Sequence, residues 1–108
     1  MSDVDTDDSI PPEGRPPMPP ASFEFLVLSL RTQAEVHLGL LRFDAEGKPE
    51  PDLDMARHAI DLLAILLEKT KGNLEIAERR LLENSVTELR FRFVQVSDEL
   101  AQAPPQKA

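Results

Sequence analysis

The ten prolines of this 108-residue chain decide where helices can run. Six cluster at Pro11, Pro12, Pro16, Pro17, Pro19 and Pro20, two stand at Pro49 and Pro51, and two at Pro104 and Pro105. Residues 21–48 and 52–103 contain none. Proline removes a backbone donor and costs about 3 kcal/mol inside a helix. The chain therefore reads as a tail, a helical stretch, a turn, a longer helical region and a second tail. Residues 1–21 are acidic and proline-rich with little to bury, so they are expected to be disordered, as are residues 101–108. Arg15-Pro16-Pro17-Met18-Pro19-Pro20 fits a polyproline ligand pattern, although a spacer is the plainer reading. Residues 22–100 are left as one folded domain.

Within the first proline-free stretch, Ser22 is a candidate N-cap and the pattern predicts a helix over 22–41. At about 100° per residue, Phe23, Leu26, Leu30, Ala34 and Leu41 share one face, with Val27 and Leu38 beside it. Arg31, Glu35 and Glu24 form a polar strip, while Phe25, Val36 and Leu40 make a second apolar zone. Asp44, Gly47 and the Pro49–Pro51 pair supply turn chemistry.

A second helix is predicted over 53–71, capped by Asp52 or Asp54 and stopped by Gly72. Leu53, Ala56, Ile60, Leu63, Ala64 and Leu67 line one side, and Met55, Ala59, Leu62 and Leu66 extend it. This apolar arc spans roughly 200°, against the ~100° that a one-sided surface helix needs. Such a helix requires cover on two sides.

The third helix, expected over 74–100 and opening at Asn73, carries a 4-3 alternation: Leu82, Val86, Leu89, Phe93, Val96 and Leu100. That spacing draws one narrow seam of the kind that packs on another helix. The period-two runs Leu89-Arg90-Phe91-Arg92-Phe93 and Phe23-Glu24-Phe25 would permit two strands. The nineteen-residue seam, the helix formers from Leu74 to Glu88 and the marginal stability of a lone strand pair favour helix. All five aromatic residues are Phe and the rest of the apolar content is aliphatic, which also suits helix packing.

The expected fold is thus all-α: a helical hairpin plus a long C-terminal helix, with more apolar area than three helices can hide. A second copy of the chain is the simplest cover, and a dimer the commonest form. The residues expected at that interface are Leu82, Val86, Leu89, Phe93 and Val96 of the seam, Leu62 and Leu66 of the second helix, and Phe91. If the third helices paired antiparallel, Glu83 would face Arg90 of the other copy; such a pair contributes about 0.5 kcal/mol and biases orientation only.

Chemistry finds little to stand on. With no cysteine there is no disulfide, thiolate site or thiol nucleophile. His37 projects onto the apolar face of the first helix, where it reads as a packed core or interface histidine; the rival reading is a small-ligand or metal-binding bundle that uses it. His58 stands one turn from Asp54 and Asp61, but a divalent site needs three or four ligands. The carboxylates are dispersed among basic neighbours, and Ser22, Ser29, Ser85 and Ser97 lack a nucleophile elbow. Gly14, Gly39, Gly47 and Gly72 cannot assemble a phosphate loop. No catalytic residue, metal ligand or cofactor is expected.

A net charge of −8 repels phosphate backbones and anionic lipid. Arg79, Arg80, Arg90 and Arg92 are diluted by Glu75, Glu78, Glu83 and Glu88, so neither nucleic acid nor membrane is an expected partner. No apolar run reaches the ~18 residues of a membrane span, and Asp3, Asp5, Asp7 and Asp8 are unlike a signal peptide. The chain reads as cytoplasmic.

Residues 22–96 resemble a small bacterial family, the domain of unknown function DUF1844. The resemblance rests on Phe25 to Leu30, Gln33-Ala34 with His37-Leu38-Gly39-Leu40, Asp61-Leu62-Leu63, Glu68-Lys69-Thr70-Lys71-Gly72-Asn73-Leu74 and Leu89-Arg90-x-Arg92-Phe93. It implies a bacterial cytoplasmic protein and assigns no functional residue. The expected role is a non-enzymatic, self-associating scaffold or adaptor that binds other proteins.

Overall fold

The computed structural model describes residues 17–41 and 50–102. The expected disorder of residues 1–16 and 103–108, and the turn drawn through Asp44 and Gly47, lie outside the described residues. Three helices form: α1 (Phe23–His37), α2 (Leu53–Lys69) and α3 (Ile76–Gln102). No strand occurs among the described residues, so Leu89–Phe93 is helical despite its alternation.

The caps explain the boundaries. Ser22 Oγ accepts the N–H of Phe25 at 3.0 Å, and Asp52 accepts that of Met55 at 3.1 Å; each satisfies one of the free donors of a first turn. The first helix stops four residues short of the expected Leu41. Gly39 takes φ +81°, its N–H donates to Val36 O at 3.0 Å, and Leu40 N–H reaches Glu35 O at 2.9 Å. These two bonds close a Schellman motif, in which the left-handed residue is the one glycine fills without strain. Gly72, also at φ +81°, lies past the end of α2, which stops at Lys69, two residues short of the expected Lys71.

The third helix opens later than Asn73. Asn73 N–H instead closes a turn on Thr70 O at 2.9 Å. The start is set by Glu78, whose carboxylate accepts the N–H of Glu75 at 2.9 Å, the backward-reaching half of a capping box. At its far end α3 continues to Gln102, two residues into the stretch expected to be tail.

Asp52 N–H donates to His37 O at 2.7 Å, tying the end of α1 to the start of α2. The two helices pack as an antiparallel hairpin, and α3 lies across one face of it. The core between them comprises Val27, Ala34 and Leu38 from α1 and its cap, Ala56, Ala59, Ile60 and Leu63 from α2, and Leu82, Val86, Leu89 and Val96 from α3.

Two expectations change here. On α1 the buried line is Val27–Ala34–Leu38, while Leu26 and Leu41, assigned to the core face, are 44% and 38% exposed. On α3 the seam does not await a second copy. Leu82, Val86, Leu89 and Val96 are buried, and Phe93 half-buried, against α1 and α2 of the same chain. The hairpin is wide enough to shelter a stripe of that width. Leu100 keeps the register but is 47% exposed, because a 27-residue helix, about 40 Å long, outruns its shorter partners.

Candidate functional site

Polar contacts join α3 to the hairpin beside the apolar core. Arg31 of α1 donates through Nε to Glu35 at 3.2 Å, through Nη1 to Ser85 Oγ at 3.4 Å and through Nη2 to Glu88 at 2.5 Å. Ser85, fully buried in the seam, is the polar group this fork reaches. Burial alone would lower the Arg31 pKa, but the hydrogen bonds and charges of Glu35 and Glu88 outweigh it and hold the pKa above its ordinary value. Arg31 therefore stays cationic at every pH where the fold survives. On α2, the Arg57 guanidinium lies 5.4 Å from the centroid of the Phe93 ring, a cation–π contact worth about 0.5–1 kcal/mol. The helical pattern puts Arg31 and Arg57 on polar strips and reveals neither contact. Nothing in helical spacing says which residues of a distant helix come opposite.

These contacts mark the sides of α1 and α2 that turn toward α3. By helical projection every Asp and Glu of the two helices falls within about 60° of the Arg31 or Arg57 direction. The opposite side of the hairpin carries Phe25, Leu26, Ser29, Gln33 and Val36 from α1 and Met55, Leu62 and Leu66 from α2. Phe25 is 42%, Met55 45% and Leu62 36% exposed; Ile65, also exposed, stands at its edge, whereas the exposed Leu28 projects beside Glu24 and Glu35 on the carboxylate side of α1. Of the expected interface residues, this surface holds Leu62 and the half-buried Leu66. Phe91, also expected at the interface, is exposed on the far side of α3, where it shares a stripe with the exposed Arg80, Asn84 and Thr87. Glu83, drawn toward another copy's Arg90, lies 3.9 Å from Arg79 of its own helix.

Three open clefts lie between the helices. The largest, about 620 Å³, runs between the end of α2 and the first half of α3 and mixes Glu68, Lys71, Arg79 and Glu83 with Leu74. One of about 500 Å³ lies beside the Arg31 fork, under Leu40, Leu41 and Phe91. The third, about 330 Å³, borders Arg57 and Phe93. In the largest, the Thr70 hydroxyl donates to Leu66 O at 2.7 Å and Lys71 lies 3.8 Å from Glu68. His37 ends α1 half-buried, engaged through its carbonyl, and His58 is exposed. Among the described residues no three His, Asp or Glu side chains come together as a metal would require, and no helix is long and apolar enough to cross a membrane.

The family model for the domain of unknown function DUF1844 matches residues 20–95. The chain belongs to the DUF1844 family. The matched span contains α1, α2 and α3 up to the last buried turn, so the three-helix arrangement lies within the DUF1844 domain. No curated protein and no solved structure matches this chain.

Proposed function

We propose that this DUF1844 protein is a non-enzymatic scaffold or adaptor that binds proteins through the outer face of the α1–α2 hairpin. One observation carries the reading: a chain of net charge −8 keeps every carboxylate of two helices off one broad apolar face. Exposed apolar surface of that extent costs solubility and marks a surface used for contact. Charge-free interface centres with polar surroundings are what protein–protein contacts present. The charged groups of the largest cleft pair with one another, Lys71 with Glu68 and Arg79 with Glu83, and the reading assigns the chain no reaction of its own.

The test places a photo-crosslinking amino acid at Leu62, on the apolar face, or at Asn84, on the outer face of α3, in living cells. Position 62 should capture protein, whether a copy of this chain or another polypeptide, and position 84 should capture little. Equal, weak labelling from both would overturn the proposal.

A further inference from the structure

We infer that the occupant of the hairpin face is a second copy of this chain, packed so that α1 of each copy lies on α2 of the other. The inference rests on the binding face proposed above and names its partner. Area supports it first. Phe25, Leu26, Met55, Leu62 and Ile65 are each between 36% and 55% exposed. At roughly 200 Å² for a large apolar side chain, they leave roughly 450 Å² uncovered per copy. With Ser29, Gln33, Val36 and Leu66 between them, the face approaches the ~800 Å² per partner of a stable interface.

Charge supports it next. A chain of net charge −8 should repel its own copy. This face is where that repulsion is weakest, because it holds no carboxylate and its ionisable groups are His58 and Lys69. An acidic surface laid on itself elsewhere would confront like charges.

Shape then selects the arrangement. The α1 strip carries the small Ser29 and Val36 on either side of the polar Gln33, and the Ser29 hydroxyl already donates to Phe25 O at 2.8 Å. The α2 strip is large, with Met55, Leu62 and Leu66. A dyad parallel to the helices sets large against small; a dyad across them sets α1 on α1 and leaves gaps at the small residues. The parallel dyad also keeps heights unchanged. Since His37 and Asp52 are level within a copy, a rise of about 1.5 Å per residue puts Val36 of one copy near Met55 of the other, Ser29 near Leu62 and Leu26 near Leu66. The product is a four-helix layer of antiparallel neighbours, with an α3 on each outside.

The experiment uses the full chain. Sedimentation equilibrium from low to high micromolar concentration should give twice the 12.1 kDa chain mass. Leu62→Asp, at an exposed position, should keep its helical circular dichroism and raise the dissociation constant at least about 100-fold, whereas Phe91→Asp should leave it unchanged. Because the chain has no cysteine, Ser29→Cys and Leu62→Cys chains mixed under oxidising conditions should form disulfide-linked dimers that neither forms alone. A monomer throughout, or a dimer indifferent to Leu62→Asp, overturns the inference. So do linked dimers of either cysteine variant by itself, which would mean α1 on α1 or α2 on α2. A monomer whose position 62 still captures another protein in cells would sink the second copy and leave the proposed binding face standing.

Discussion

Two apolar stripes run along this molecule, and they end differently. The α3 seam, Leu82 to Val96, meets α1 and α2 and is enclosed by its own chain. The stripe across the hairpin, from Phe25 and Leu26 to Met55 and Leu62, stays 36–45% exposed. Periodicity is sharper in the first, which is why the sequence alone points to it as an interface. The comparison teaches that a well-formed seam announces helix packing without saying whose helix. The useful sign of an outside partner is surplus: the arc on α2 too wide for one neighbour, and the second apolar zone on α1.

Substitutions on the two stripes should separate them, beginning with the largest effect. Leu89→Asp puts a charge at a site 1% exposed, at a cost of several kcal/mol against a total of about 5–15 kcal/mol. Loss of the helical circular dichroism signal is expected, and a folded Leu89→Asp protein would break the claim that the seam is internal. Leu82→Ala, at a fully buried position, should cost about 2–5 kcal/mol in denaturant unfolding. The same truncation at Leu62, measured in dilute protein, should cost well under half of that.

Arg31→Met removes the fork that holds α1 to Ser85 and Glu88. We expect a loss of about 1–2 kcal/mol, readable as a lower urea midpoint. Because the Arg31 pKa is raised, the guanidinium's share of this contribution is present at neutral pH and is lost as pH rises through that pKa. A wild-type stability advantage that vanished near neutrality would contradict this. Smallest is Gly72→Ala. No atom lies within 4 Å of the added Cβ, so the change registers backbone strain alone, about 1 kcal/mol at φ +81°.

Much of the fold was legible because its signals are local. Ser22 and Asp52 cap the next residues but two, Gly72 needs only its own φ, and proline-free runs bound the helices. The misses have equally local causes. Gly39 sits inside an apolar run that continues to Leu41, so periodicity overran the Schellman stop. Glu78 caps backward from inside the helix, which let Asn73 look like the start. The Arg31–Ser85 contact spans 54 residues and leaves no trace in any window of sequence.

By itself the sequence determined the class and the count: three helices, their caps, and an apolar excess with the charges gathered on one side of each hairpin helix. Those follow from backbone sterics and from the 3.6-residue period, which act over a few residues. Only the tertiary structure decided which stripe is spent inside. That choice depends on how α3 crosses the hairpin, where Leu82, Val86, Leu89 and Val96 pack on α1 and α2 and the Arg31 fork and the Arg57–Phe93 contact flank them. Burial goes to whichever faces those contacts bring together, and the face left over is the hairpin's.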